Sequence, residues 1–169
     1  MARPGLRRLL RWVVLPVGAA VVAIQLVPYG WWHENPPVVR DAPWPSEEAA
    51  GLARAACYDC HSNETDWPVY SYVAPMSWLV RRDVERGRDE LNFSLWDADV
   101  GELDDAAETI EEGSMPPRTY ELLHPSARLS AEEKRVLIAA LASLEATADH
   151  DDDEPDDGED RSGSNRGRR

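Results

Sequence analysis

The clearest hydrophobic pattern in the chain lies near its C-terminal end. Val136, Leu137, Ala140, Leu141 and Leu144 recur at spacings of three and four, which places them on one face of a helix. Ser130 with Glu133 forms a capping box that starts it. A weaker stripe of Leu103, Ala106 and Ile110 predicts a helix over residues 99–112, stopped by Gly113. Residues 75–86 predict another, ended by Gly87, with Trp78, Leu79 and Val84 turned inward and Arg81, Arg82 and Glu85 solvated. Upstream, Ser46 is placed to cap a helix running through Glu47, Leu52 and Ala55, where Ala53, Ala55 and Ala56 allow close packing. No stretch alternates with period two and no internal repeat is visible. The predicted fold class is all-α.

The N-terminal pattern is of another kind. Arg3, Arg7, Arg8 and Arg11 precede a charge-free run over residues 12–28, and Tyr29, Trp31 and Trp32 follow it. Basic flank, apolar run and aromatic belt together predict one uncleaved transmembrane helix, with the chain after it on the extracytoplasmic side. Pro16 and Gly18 are tolerable in such a helix; the competing reading is a buried core helix. Pro36, Pro37, Pro43 and Pro45 then suggest a stiff spacer. The expected organisation is a basic N-terminus and anchor over 1–32, a spacer over 33–45, one domain over 46–148 and a disordered tail over 149–169. That tail is acidic to Asp160 and rich in Gly, Ser and Arg beyond it, with nothing apolar to bury, and serves either as a solubiliser or as a partner-binding segment.

The formal net charge of −14 divides into +4 over residues 1–11, −13 over 12–148 and −5 over 149–169. An acidic surface is unsuited to nucleic acid and suits a basic redox partner or a salt-rich medium. Lys134 is the only lysine among the 18 basic residues.

Candidate chemistry concentrates in Cys57-Tyr58-Asp59-Cys60-His61. Two thiols three positions apart and an imidazole directly after them have the spacing that attaches a c-type haem: each sulfur adds to one vinyl group and the histidine meets the iron. Other readings compete. A thioredoxin-type pair belongs after a strand, whereas residues 47–56 read as helix; a structural zinc site needs four ligands, and the chain has only two cysteines and four histidines; a disulfide or two idle thiols is the plainest alternative. On the haem reading the cofactor is one covalently attached haem c, with Cys57 and Cys60 as tethers and His61 as proximal ligand.

The candidate for the iron's other face is Met115, in Glu112-Gly113-Ser114-Met115-Pro116-Pro117, where a helix stop and two prolines stiffen the loop that presents a thioether. Core filler is its alternative role. Met76 is the second candidate, and His124, flanked by Leu122, Leu123 and Pro125, would give bis-histidine ligation. Trp67, Tyr70, Met76, Trp78 and Tyr120 are candidates for the haem pocket, with general core as the alternative. Asn63, Thr65 and Asp66 are candidates either for capping turns or for bonding the haem propionates.

Taken together, Cys57-Tyr-Asp-Cys-His61-Ser-Asn63-Glu-Thr-Asp-Trp67-Pro68, then Tyr70, Ala74-Pro75, Trp78, Gly87-Arg88, Leu91-Asn92-Phe93, Ser114-Met115-Pro116-Pro117, Tyr120, His124-Pro125 and Leu129-Ser130 resemble the small haem-binding domain family of c-type cytochrome-like proteins. The resemblance covers residues 49–144, excluding the N-terminal run and the tail. It implies a small cytochrome-like helical domain with covalent haem at Cys57 and Cys60 and His61 on the iron. The expected function is one-electron transfer between larger redox proteins, without substrate turnover. The rival is a small-ligand sensor or peroxidase-like enzyme with an open distal site; a third reading is a scaffold that the haem only stabilises.

Overall fold

The computed structural model describes residues 4–96, 101 and 103–151. Among them there is no strand, only two isolated bridges, Arg40 with Leu95 and Leu91 with Gly101. The helices are α1 Pro4–Gln25, α2 Glu47–Ala56, α3 Tyr58–His61, α4 Met76–Glu90, α5 Leu103–Glu112, α6 Arg118–Leu123 and α7 Ala131–Asp151, with 3₁₀ turns at Val69–Tyr72 and Pro125–Ala127. The all-α expectation is met.

The helix ends follow from local chemistry. Ser46 Oγ accepts from the Ala49 amide at 3.1 Å at the start of α2. Glu133 Oε2 accepts from the Ser130 amide at 2.7 Å while Ser130 Oγ accepts from that of Glu133 at 3.3 Å, the reciprocal pair that opens α7. Gly113, at φ +76°, ends α5 in a left-handed turn. Its neighbours Ser114 and Met115 both donate backbone N–H groups to the Thr109 carbonyl, which curls the loop back on the helix.

The core forms where α5 lies along α7 and α2 packs between α3 and α7. Leu103 and Ile110 meet Leu137, Leu141 and Leu144 there, with Tyr58, Phe93 and Ala53 closing one side. Each fully buried leucine contributes roughly 1.5–3 kcal/mol relative to exposure, so the stripe read on α7 does most to hold the domain together.

Three expectations are corrected or extended. Helix α4 does not stop at Gly87 but continues to Glu90. Helix α6 has no stripe to announce it; its six residues contain none that is buried. The transmembrane anchor is overturned, because no helix among the described residues is long and apolar enough to cross a membrane. Arg7, Arg8 and Arg11 lie within α1, so its charge-free part, Trp12 to Gln25, is about 14 residues or roughly 21 Å, short of a bilayer core of about 30 Å. The far end is fastened to the domain. The Gln25 amide both donates to the Ala74 carbonyl and accepts from its N–H, each at 3.0 Å. Tyr29 donates to Glu85 at 2.8 Å, and Arg81 donates to the Trp32 carbonyl at 2.8 Å. The aromatic belt is thus a docking strap on α4, and the membrane-anchored, extracytoplasmic placement built on it falls with the anchor.

The proline-bearing stretch is also bonded into the domain. Asn63 donates to the Pro37 carbonyl, and the amides of Val39 and Ala42 donate to the carbonyls of Ser94 and Phe93. Of the expected tail, residues 149–151 continue α7, and 152–169 lie outside the described residues.

Candidate functional site

Helix α2 ends at Ala56, and the chain makes one further turn, α3, that carries the Cys-x-x-Cys-His motif. The amides of Cys60 and His61 both donate to the Cys57 carbonyl, at 3.1 and 2.9 Å, which gathers the three side chains into a single turn. The turn is clamped from outside by α4. A Cβ placed on Gly87 would stand 2.5 Å from the Cys60 carbonyl oxygen, so only glycine lets the helix approach this closely.

The largest cavity among the described residues, about 560 Å³, opens beside this turn. Cys57 and His61 line it from one side and Met115 with Pro116 from another, while Ile110, Leu137 and Leu141 supply apolar walls. The volume is that of a pocket for a sizeable planar ligand. Glu90 and Asp105 are its only carboxylates.

His61 is held for metal binding by the backbone. Its Nδ1 lies 3.2 Å from the Leu91 carbonyl, which can only accept, so Nδ1 carries the proton and Nε2 is left with its lone pair. The Phe93 amide donates to the His61 carbonyl at 2.9 Å, so the same strand of chain fixes both the backbone and the ring. Burial holds the imidazole below the ordinary histidine range, favouring the neutral, ligating form.

The two thiols share a fate. Burial pushes Cys57 up to about 12, reinforced by Cys60. Burial does the same to Cys60, also to about 12, with Asp59 and Asp83 adding to it. A thiol that stays protonated at neutral pH is a poor disulfide-exchange nucleophile, which weighs against the thioredoxin reading.

The remaining candidates lie elsewhere. Cys60, Tyr70, Tyr120 and His124 line a second, smaller concavity of about 60 Å³. Trp67 packs edge-on against His33 at 4.5 Å and donates to Asn35. Met76 is exposed at the start of α4, away from both. Trp78 lines neither; its Nε1 is buried without a partner. None of the five pocket candidates therefore lines the large cavity, whose walls are aliphatic apart from Phe93. Of the three sixth-ligand candidates, only Met115 faces it.

The polar residues after the motif act as staples. Asn63 accepts from Asn92 and donates to Pro37, both at 2.9 Å, and its amide donates to Ser94 Oγ. Thr65 donates to the Asp59 carbonyl, and the Asp66 amide to the Asp59 carboxylate. Arg88 ties these segments together, donating to Ser62 O, Glu34 O, Asn35 Oδ1 and Thr65 Oγ1 at 2.7–3.0 Å. Sequence reasoning missed the Leu91 clamp and the aliphatic walls. Backbone acceptors leave no mark in residue type, and leucines on α7 look the same whether they face a core or a cofactor.

Comparison with known proteins agrees with this donor set. A haem-binding domain family model matches residues 19–143, reaching back over α1 and the strap. Among curated proteins, cytochrome c peroxidase Ccp of Escherichia coli (strain K12) is 26% identical over 143 residues, covering 76% of this chain and 31% of that protein. The chain thus spans about a third of that relative's length. No solved structure matches. With an apolar cavity of sufficient size, a neutral imidazole set by its Nδ1 bond and a thioether facing the same space, the residues fit a haem, and the chain belongs to the haem-binding domain family.

Proposed function

We propose that this domain is a monohaem c-type electron carrier. Cys57 and Cys60 tether the ring through thioether bonds, His61 Nε2 is the proximal ligand, and Met115 is the distal one. The carrying observation is the convergence of Cys57, His61 and Met115 on one cavity from two sequence-distant segments. When bound, the haem supplies a one-electron couple, and a thioether on its distal side raises the potential. The chain's part is to orient the imidazole through Leu91, to exclude water with Ile110, Leu137 and Leu141, and to present Met115 from the turn closed by Gly113. Its partners are larger redox proteins with basic docking surfaces, as the net charge of −14 favours.

Two measurements test this. Denatured holoprotein should keep its haem through acid-organic extraction, and haem passing into the organic phase would exclude thioether attachment. The ferric protein should show a weak sulfur-to-iron charge-transfer band that Met115→Ala removes. Carbon monoxide should bind the reduced variant readily and the parent poorly.

One observation favours a second reading. The likeness to a protein named cytochrome c peroxidase suggests peroxide chemistry at an open distal face. A parent protein that binds carbon monoxide fast and completely would move the assignment there.

A further inference from the structure

The haem motif is split between two concavities. Cys57 and His61 face the large cavity, but Cys60 lines the smaller one, where three rings from three segments meet. Tyr120 stacks on His124 with centroids 4.0 Å apart and planes 20° from parallel. The Tyr120 hydroxyl donates to Asp59 at 2.6 Å, and His124 Nε2 lies 3.4 Å from the Tyr70 hydroxyl. A connected set of rings thus runs outward from the residue pair Asp59-Cys60. None of these groups takes part in holding or ligating the haem, and the large cavity's own walls leave them unused.

The surroundings have the anatomy of a contact surface. Val69, Leu122 and Leu123, next in sequence to Tyr70 and His124, are 86%, 71% and 51% exposed. Apolar side chains so exposed, beside a concavity, suit the centre of a small transient interface. Asp59, Asp66 and Asp83 line the concavity, and no lysine or arginine does. Asp83 is paired with exposed Arg82 at 2.9 Å, so the unpaired charge on this face comes chiefly from Asp66, and from Asp59 behind it.

Electron transfer weakens steeply with distance and runs best through bonds and packed rings. A carrier should therefore exchange electrons where its tethered framework comes nearest the surface. We propose that the face over Cys60, formed by Tyr70, Tyr120 and His124 and bordered by Val69 and Leu122, is the port through which this domain exchanges electrons with a cationic redox protein. This rests on the electron-carrier reading above. One electron moves: the iron passes from ferrous to ferric as the acceptor is reduced, and the three rings keep their protons and electrons, serving as medium.

The test uses full-length holoprotein. Ferrous protein is mixed at low salt with a cationic oxidant, tris(phenanthroline)cobalt(III), or with anionic ferricyanide. The cobalt complex should show a rate that falls with salt. Asp66→Lys or Leu122→Arg should slow it by about tenfold or more, within the range of electrostatic steering, with spectrum and potential unchanged. Glu111→Lys, on α5 beside the large cavity, should not. A second readout needs no turnover: redox-inert, paramagnetic hexaamminechromium(III) should broaden the amide resonances of residues 66–70 and 122–124, and not those of 105–116. A rate sensitive to Glu111→Lys but not to Asp66→Lys or Leu122→Arg, or broadening confined to 105–116, would overturn the port. A parent that exchanges electrons with neither oxidant would instead overturn the carrier reading itself.

Discussion

Gly87→Ala is the sharpest single perturbation of the haem turn. The added methyl would stand 2.5 Å from the Cys60 carbonyl oxygen, 2.9 Å from its carbon and 3.0 Å from the Cys60 Cβ. Ordinary contact begins near 3.4 Å, so α4 must retreat by roughly 0.9 Å from the turn it clamps. Two effects of opposite sign compete. Alanine in a helix interior gains about 1 kcal/mol over glycine; forcing a methyl into a packed backbone contact costs about 1–3 kcal/mol. The obstruction is backbone, with no flexible side chain to swing aside, so the cost should sit at the upper end and leave a net loss of about 1–2 kcal/mol. With a urea m-value of about 2 kcal/mol/M, the midpoint falls by roughly 0.5–1 M. The retreat also reaches the iron ligand, because the chain leaving α4 carries the Leu91 carbonyl that faces His61 Nδ1. Loss of stability should therefore come with a shifted haem spectrum. A variant as stable as the parent, or more so, with an unaltered spectrum would refute the close approach of α4 to Cys60.

Three further outcomes are expected. Asn63→Ala removes the partner of the Asn92 amide and of the Pro37 carbonyl; denaturation should show a loss of about 2–3 kcal/mol with the potential unchanged, whereas a shifted potential would mean that Asn63 bonds the haem propionates. Ser46→Ala should cost about 1 kcal/mol through the freed Ala49 amide, measured the same way, and a change under about 0.3 kcal/mol would show that the cap does not matter. In haem-free protein both thiols have a folded-state value of about 12 against 9.0, so folding holds their protons; stability should be full below pH 9 and fall as pH rises from about 9 towards 12, a fall that Cys57→Ala/Cys60→Ala should lessen.

What could be read in advance was what has a periodic or stereochemical signature. The α7 stripe, the Ser46 and Ser130 caps, the Gly113 stop and the Cys-x-x-Cys-His turn all came from rules that act within a few residues. Gly87 misled because its composition fits a helix end while its real constraint, the Cys60 carbonyl, comes from 27 positions away in the chain. Residues 12–32 misled for a related reason. Apolar length and flanking aromatics look alike on a membrane anchor and on a strap, and only the Gln25, Tyr29 and Trp32 contacts to residues 74–85 separate them.

The aromatic residues carry the most useful correction. Placing Trp67, Tyr70, Trp78 and Tyr120 around the haem assumed that a large apolar plate needs aromatic cover. Instead the cavity is walled by branched aliphatics from α5 and α7, which interdigitate along the helices and leave room between them. The rings are spent elsewhere. Trp67 sits over His33, which Ser71 also holds, and so braces the segment before the domain against the 3₁₀ turn after the motif. Tyr120 reaches Asp59, inside the motif itself, from α6. The run from Ser62 to Trp67 therefore serves mainly to fix one turn of backbone from several sides, through Asn63, Thr65 and Arg88. That kind of rigidity is what a donor set needs if an imidazole and a thioether from segments more than fifty residues apart are to meet one metal.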